Sequence, residues 1–280
     1  MKTILFFLLP VACLGQASIR RTLTVDSLGA CQGVSIQKGN VYLYGDREVG
    51  MVREYNRLGD SLVYTGREVK FSIDTTDVIG HPTGFAIREG YPTFIGNSVR
   101  LNKEGTRWKA VISCVDWPGL WKTGKLQGNL LNTIEDDACI QGTRPEYIDY
   151  KGHVYVATAD YGNNGNQIRL YRPEKLKSAK KTSEPGLVYA RFTCSPFVQN
   201  LHWIPEKRQL VLVQNQVEGR RWRLTFLDFD KSIAEGKEHV LRVMDFDPAD
   251  ELEGFVLLPG GKDGIAVTSS RKRNVHVIEL

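Results

Sequence analysis

Short polar clusters lead into apolar strands five times along the chain, at intervals of roughly fifty to sixty residues. The clusters are Cys31-Gln32-Gly33-Val34, His81-Pro82-Thr83-Gly84-Phe85, Arg144-Pro145-Glu146-Tyr147-Ile148, Asn200-Leu201-His202-Trp203-Ile204 and Glu251-Leu252-Glu253-Gly254-Phe255. They align on Gly33, Gly84, Tyr147, Trp203 and Gly254. A repeat of this length with several strands in each unit is typical of a β-propeller.

The strand pattern within the units predicts the number of blades. The first unit has alternating runs at 34–36, 41–44, 49–55 and 61–64, with a Gly-Asn turn after the first run. The last unit has only three such runs, and the run at 21–25 supplies the fourth, which would cover an exposed sheet edge. We therefore predict an all-β protein, a single five-bladed β-propeller of four-stranded antiparallel blades closed by an N-terminal strand.

The predicted blade boundaries account for the chain from residue 18 to residue 280 as one propeller domain. They are approximately 32–70, 81–138, 144–193, 198–246, and 252–280 together with 20–26. A six-bladed ring with one degenerate blade and a pair of β-sandwiches remain alternatives. We expect a long loop at 116–121 and at most one helical turn at 230–237.

Residues 1–17 have the pattern of a secretory signal peptide. Lys2 precedes an apolar stretch that is too short to span a membrane, and small residues end at Ala17. Cleavage after Ala17 predicts a secreted or periplasmic protein. A lipoprotein acylated at Cys13 is the less favoured alternative, because Pro10 and Val11 fit poorly before a lipidated cysteine.

Charge and hydropathy restrict the partners. The chain has 37 Lys and Arg residues against 32 Asp and Glu, a net charge of +5, without a broad basic face. We therefore expect no nucleic-acid partner. No later stretch reaches the length of a membrane span. The predicted partner is a small-molecule or carbohydrate ligand, and the sequence leaves the oligomeric state open.

Four cysteines follow the predicted signal peptide: Cys31, Cys114, Cys139 and Cys194. An even number in an oxidising compartment permits two disulfides, and a bridge between Cys114 and Cys139 within one blade is plausible. Four free buried thiols are an equal alternative, because a domain of this size does not need disulfides for stability.

Polar residues at the starts of the inner strands are candidate site residues, because a propeller brings these positions to one end of its channel. The upper positions are Ala30, His81, Arg144, Asn200 and Glu251, and the next positions on the same strand face are Gln32, Thr83, Glu146, His202 and Glu253. Loops after the second strands add Asp46-Arg47, Asn97, Asp160-Tyr161, Asn215-Gln216 and Ser269-Ser270-Arg271. For each residue, filling the channel or capping a turn is the alternative role.

Roles follow from the chemistry of these side chains. Glu146 and Glu253 are candidate catalytic carboxylates, and His81 or His202 is a candidate proton shuttle. The candidate substrate-binding residues are Arg144, Gln32, Thr83, Asn200, Glu251, Asp160, Tyr161 and Asn215. Trp117, Trp121 and Tyr161 lie in predicted loops, where their rings could stack on a sugar.

Two resemblances extend this interpretation. The Gln32-Gly33-Val34, Thr83-Gly84-Phe85 and Glu253-Gly254-Phe255 steps resemble the strand starts of gluconolactonase-like and strictosidine synthase-like propellers. That resemblance implies a channel cation, Ca2+ or another divalent ion, with Glu146, Asn200 and Glu253 as the matching ligand types. The strand Arg144 to Ile148 is similar to the glutamate strand of five-bladed arabinanase- and invertase-type glycoside hydrolases. In that group a catalytic aspartate comes early, and Gln32, which cannot act as a general base, occupies its place here.

The sequence is compatible with three functions. The favoured one is an exported hydrolase that acts on a carbohydrate or lactone at the channel mouth. The alternatives are a non-catalytic ligand-binding or scaffolding propeller and a lyase on uronic-acid sugars, in which Arg144 would neutralise the sugar acid. All three depend on the architecture more than on a specific motif.

Overall fold

The computed structural model describes residues 18–46, 49–139, 141–162, 165–215, 221–247 and 250–280. The predicted signal peptide at residues 1–17 lies outside the described residues. Arg47 and Gln216, two of the predicted channel-loop residues, also lie outside them.

Five four-stranded antiparallel sheets form the predicted propeller. In chain order the strands are β1 (Ser18–Leu23), β2 (Cys31–Gln37), β3 (Asn40–Gly45), β4 (Met51–Leu58), β5 (Ser61–Lys70), β6 (Ser72–Ile73), β7 (Thr76–Asp77), β8 (Pro82–Ala86), β9 (Thr93–Arg100), β10 (Trp108–Val115), β11 (Leu130–Glu135), β12 (Glu146–Tyr150), β13 (His153–Thr158), β14 (Gln167–Tyr171), β15 (Val188–Thr193), β16 (Val198–Ile204), β17 (Gln209–Asn215), β18 (Trp222–Asp228), β19 (Val240–Phe246), β20 (Leu252–Leu257), β21 (Asp263–Thr268) and β22 (Val275–Glu279). Blades one to four are β2–β5, β8–β11, β12–β15 and β16–β19. Blade five has the order β20, β21, β22, β1, so the N-terminal strand is its outermost member.

Within the described residues, three short α-helices connect strands on the outside of the blades, where the sequence predicts loops. They are α1 (Trp117–Thr123), α2 (Pro173–Ser178) and α3 (Phe229–Glu235). The expected loop at 116–121 is thus mostly helix, because Trp117 and Leu120 are buried against the first two blades. The expected single turn at 230–237 is a longer helix, capped by Asp228, which accepts a hydrogen bond from the Lys231 N–H.

The core is divided among the spaces between blades. Five buried hydrophobic clusters occur in the described chain, and each lies between two neighbouring blades. Alternation along each strand explains this arrangement, because successive side chains point to opposite faces of a blade and both faces are covered. Burial is consequently spread around the ring, and the central axis is left to polar groups and glycine.

The four described cysteines are free thiols. The Cys114–Cys139 bridge is therefore absent, and the free-thiol alternative is the one that the structure shows. Cys114 packs into the cluster between blades two and three, whereas the Cys139 sulfur accepts a hydrogen bond from Arg169 at 3.6 Å. Within the described ranges, the helices are all too short and too polar to cross a membrane.

Candidate functional site

The inner strands of the five blades approach one another most closely at one layer of the axis. We call the residues of this layer the axial layer: Gly33, Gly84, Glu146, Asn200 and Gly254. In β2, β8, β16 and β20 the pairing register with the second strand shifts immediately before this residue. A Cβ atom on Gly254 would lie 2.8 Å from the Gly33 Cα. The backbones are thus in contact, and the channel is constricted here.

The axial layer corrects the alignment of the sequence repeat in blades three and four. Glu146 and Asn200 each accept a hydrogen bond from the N–H of the next residue, at 2.8 and 2.9 Å, which marks them as equivalent. The sequence alignment instead equated Tyr147 and Trp203 with Gly33. Neither blade has the glycine that marks this layer in the other three. In blade four the β-bulge before Asn200 has no sequence signature, and in blade three β12 pairs with β13 without a register shift. His202 consequently lies two residues beyond the layer rather than above it.

Tyr44 fills the centre of the constriction. Its fully buried ring stacks on Phe85 with centroids 4.0 Å apart, and its hydroxyl accepts a hydrogen bond from Asn200 Nδ2 at 2.9 Å. Burial raises the pKa of Tyr44, and the nearby Cys31, Glu146 and Glu253 raise it further. The channel therefore has two polar regions, one on each side of Tyr44. We call the end where inner strands begin the upper face and the end with the first hairpins of the blades the lower face.

A cavity of about 980 Å³ opens on the lower face. Its lining combines apolar side chains with a few polar ones, and among them are Phe85, Ile87, Ile204, Val256, Leu257, Ser35, Glu146 and His202. An ion pair between Arg88 and Asp149, at 2.9 Å, and the exposed Glu206 and Lys207 lie at its rim. This volume is at the upper end of the range for small-molecule sites in proteins.

Glu146 is the acidic group deepest in this cavity. Its Oε1 accepts the Tyr147 N–H, and no Lys, Arg or His side chain of the described chain forms an ion pair with it. Burial raises the pKa of Glu146 to about 8, against the smaller opposing effect of the Tyr147 N–H. The carboxyl is therefore mostly protonated at neutral pH, and Oε2 can donate a hydrogen bond.

His202 is the second polar group of the cavity, and its chemistry is complementary. Its Nε2 accepts a hydrogen bond from the Leu257 N–H at 3.1 Å, so the neutral ring carries its proton on Nδ1. Burial lowers the pKa of His202 to about 4. The ring lies edge-on to Phe255, with centroids 5.6 Å apart. His202 is thus a fixed, uncharged donor at neutral pH.

Replacing Glu146 by Gln should change how stability depends on pH. The folded-state pKa of about 8 lies above the ordinary value of 4.5, so the wild type loses unfolding free energy as pH rises from about 4.5 to 8. The Gln variant lacks this loss. We expect the Gln variant to be more stable than the wild type by about 2 kcal/mol above pH 8. This is less than the full pKa shift of Glu146 would give, because water reaches the cavity. Urea unfolding at pH 4, 6 and 9 measures the difference.

Subtracting the two stability curves removes the separate contribution of His202, which changes in the acid range. Glu206→Gln at the cavity rim is the matched control, because that carboxylate is exposed. Its difference from the wild type should be the same at all three pH values. A constant difference for Glu146→Gln as well would show that Glu146 is ionised in the folded state.

On the upper face, Arg144 is the centre of a buried hydrogen-bond network. Arg144 is 4% exposed and donates to the Gln199 side chain at 2.9 Å, while Gln199 Nε2 donates to Glu251 at 3.0 Å. The guanidinium also lies 5.4 Å from the centroid of the Tyr161 ring. Burial lowers the pKa of Arg144. Gln199 is not among the residues predicted from the sequence, because the alignment of the repeats places Asn200 and His202 at the channel instead.

Glu253 faces this upper network. It is buried, and its pKa is raised well above the ordinary value, first by burial and then by the Glu251 and Asp46 carboxylates, against the opposing effect of Arg144. Asp46 is paired in turn with His81, at 3.0 Å between Oδ2 and Nδ1. The two predicted catalytic glutamates therefore lie on opposite sides of Tyr44.

Several predicted loop residues hold the inner strands in place. Side-chain oxygens of Asp46, Asn97, Asp160 and Asn215 accept hydrogen bonds from the backbone N–H groups of Ala30, His81, Gln141 and Leu252, at 2.8–3.1 Å. Thr83 donates its hydroxyl to the Thr143 carbonyl at 2.6 Å, and Gln32 is buried one residue before the axial layer. The predicted stacking residues Trp117 and Trp121 pack against Tyr42 in the core between blades one and two.

The structure thus places Asn200 in the axial layer and divides the other predicted site residues into two groups. Glu146 and His202 line the lower cavity, whereas the upper face has His81, Arg144, Gln32, Thr83, Glu251, Glu253, Asp160, Tyr161 and Asn215. The apolar wall of the cavity was not predicted from the sequence. One signal was available, because Ile36, Ile87, Ile204 and Leu258 are apolar residues next to turns, where polar residues are the usual choice.

The three residues matched to a cation do not present free oxygens to a common point. Asn200 Oδ1 already accepts the Leu201 N–H, and Tyr44 lies between Glu146 and Glu253. Across the described ranges, no group of three or more His, Cys, Asp or Glu side chains is arranged to hold a metal ion. A channel cation stays a prediction, and its ligands would have to differ from this set.

The fold defines the chain as a five-bladed β-propeller. No protein-family model matches it, and no curated protein matches it in sequence. Among solved structures it is similar to hydrazine synthase of Kuenenia stuttgartiensis, with 14% identity and a TM-score of 0.45. The match covers 87% of this chain and 57% of that chain, so this chain spans little more than half the length of that protein.

Proposed function

We propose that this protein binds a small molecule in the lower cavity of its propeller. The observation that carries the proposal is the cavity itself, about 980 Å³ with apolar walls and two polar groups, Glu146 and His202, deep within it. Ligand sites in proteins combine apolar enclosure with a few placed polar groups. The exported location predicted from residues 1–17 stays a prediction.

Partly filling the cavity should weaken the binding of an apolar probe. Ser35 is a small, half-buried residue of the cavity wall, so Trp at this position would fill part of the space. We expect Nile red to bind the wild type with increased fluorescence, and Ser35→Trp to weaken the binding at least about tenfold, a loss of about 1.4 kcal/mol. Fluorescence titration measures the dissociation constants.

Two controls accompany this titration. Ser35→Ala removes the hydroxyl without filling space and should bind Nile red like the wild type. His81→Ala alters the upper face only and should also leave binding unchanged. Thermal melts establish that each variant is folded. Equal binding by folded Ser35→Trp and wild type would contradict the proposed site.

Hydrolysis of a carbohydrate or lactone in the same cavity is a second candidate function. It is favoured by one observation, the raised pKa of Glu146, because a general acid must hold its proton at working pH. Glu253 cannot act on the same substrate from the upper face, and His202 has its only lone pair occupied by the Leu257 N–H. Glu146→Gln would abolish turnover in this mechanism while preserving Nile red binding. Melting in Ca2+ and in a chelator tests for the predicted cation.

A further inference from the structure

The two polar groups deep in the lower cavity, Glu146 and His202, share one property that restricts the ligand: each offers a hydrogen-bond donor. The Nε2 lone pair of His202 is used by the Leu257 N–H, so this ring offers only its Nδ1–H. No hydrogen bond to Nδ1 is present within the described part of the chain. A ligand atom that contacts His202 at this nitrogen must therefore be an acceptor.

Glu146 also offers a hydrogen-bond donor to the cavity, but for a different reason. Oε1 accepts the Tyr147 N–H at 2.8 Å, which leaves Oε2 toward the cavity that Glu146 lines. Burial without a cationic partner favours the protonated carboxyl. The group offered to a ligand is then Oε2–H, a second donor that an acceptor oxygen can satisfy.

Charged ligands are poorly matched to this arrangement. A carboxylate would lack a cation deep in the cavity, because both cations of the lining are at the rim: Arg88, which is paired with Asp149, and the exposed Lys207. An ammonium could ionise Glu146 and pair with it, but it would then face the His202 N–H, which cannot accept a hydrogen bond. Burying such a pair among Phe85 and Val256 also removes both charges from water, which offsets most of their attraction.

We propose that the lower cavity selects uncharged ligands that present a carbonyl or similar acceptor oxygen to the Glu146 carboxyl and the His202 Nδ1–H. This inference rests on the proposed function and specifies its ligand class. The other charged or titratable groups of the cavity lining are Arg88, Asp149, Glu206 and Lys207 at the rim and Tyr147 in the wall. The buried Tyr44 is not part of the lining but lies near Glu146. Burial raises the pKa of both tyrosines, so neither ionises below pH 9.

Four probes that share a naphthalene ring compare a neutral acceptor, a hydrocarbon, an anion and a cation as ligands. They are 2-acetylnaphthalene, 2-ethylnaphthalene, 2-naphthoate and 2-naphthylmethylammonium. At pH 7 we expect the ketone to bind about tenfold more tightly than the hydrocarbon, which corresponds to a net gain of about one or two hydrogen bonds. The carboxylate and the ammonium should bind at least about tenfold more weakly than the ketone. Equilibrium dialysis with ultraviolet absorbance of the naphthalene ring measures all four affinities.

The pH dependence of ketone binding identifies the donor. For the wild type, the affinity should be constant from pH 6 to 7 and should fall above pH 8, by about tenfold per unit if the ionised form does not bind. Glu146→Gln keeps an N–H donor and should retain the affinity within about threefold, with no dependence on pH. Glu146→Leu, which has no donor, should bind the ketone no better than the hydrocarbon. Glu206→Gln at the rim is the matched control and should keep the wild-type profile.

Each outcome decides one of the two proposals. If the carboxylate or the ammonium binds as tightly as the ketone, or the ketone binds no better than the hydrocarbon, the ligand class is wrong while Ser35-dependent binding of Nile red still supports a cavity site. If Ser35→Trp leaves Nile red binding unchanged, the proposed function itself is wrong. Should the Glu146 variants fail to fold, the wild-type comparison of the four probes still decides the ligand class.

Discussion

Gly254→Ala should lower the free energy of unfolding by about 3 kcal/mol, the upper end of the range for overpacking a close contact. The new Cβ would lie 2.8 Å from the Gly33 Cα and 3.0 Å from the Val34 nitrogen. Both atoms are backbone of the neighbouring inner strand, so no side-chain rotation can relieve the overlap. Blades one and five would have to separate at the axis. Urea unfolding of the wild type and the variant measures the loss.

A matched control is available at Gly162. A Cβ there would meet only the flexible end of Asp160, at 3.0 Å from Oδ2. Gly162→Ala should therefore cost less than Gly254→Ala, since Oδ2 need shift by only a few tenths of an ångström, which Asp160 can do while its Oδ1 still accepts the Gln141 N–H. If Gly254→Ala proved no more destabilising than Gly162→Ala, the inner strands would not be in contact at the axial layer, and the upper and lower regions of the channel would be continuous.

The architecture could be predicted because its signals are local. Alternating strands, a Gly-Asn turn in the first hairpin and the three-strand unit at the C-terminus are all visible in the sequence. A blade with three strands must obtain a fourth or expose its edge, so pairing of 21–25 with the last blade followed from this physical requirement. The observed pairing of β1 with β22 agrees with that prediction.

The candidate site was harder to predict than the fold, because the positions of its side chains depend on the pairing register of the inner strands. A shift of one residue moves a side chain to the other face of a strand, and the bulge before the axial layer causes such a shift. Glycine marks this layer in blades one, two and five, but Glu146 and Asn200 replace it in blades three and four. The sequence alignment was displaced in these two blades, and His202 was consequently assigned to the wrong side of the constriction.

Residue type alone also could not distinguish polar side chains that hold the backbone in place from polar side chains that are free to contact a ligand. Asp160 and Asn215 are as polar as Glu146, yet their oxygens accept backbone N–H groups and hold the inner strands. What distinguishes Glu146 is its half-buried position in a cavity with no cation beside it. That property emerges only when neighbouring blades are packed together, and a single sequence does not contain it.

Asn274→Ala should also destabilise the ring by about 3 kcal/mol, because it removes the hydrogen bonds that hold the N-terminal segment to blade five. Asn274 is fully buried, and its amide both accepts from the Val25 N–H at 2.8 Å and donates to the Val25 carbonyl at 2.9 Å. Alanine would leave both backbone groups of Val25 unpaired in a buried position. Urea unfolding measures the effect.

Two controls decide whether this pair of hydrogen bonds closes the ring. Asn102 makes comparable side-chain contacts to Thr106 and Arg107, but within one exposed loop, so Asn102→Ala should cost much less. Arg20→Ala removes exposed ion pairs to Asp60 and Asp263 near the same junction, and surface pairs of this kind contribute little. If Arg20→Ala were as damaging as Asn274→Ala, surface charge would be holding the first strand in place. If neither variant mattered, the backbone pairing of β1 with β22 would hold the N-terminal segment without the Asn274 hydrogen bonds.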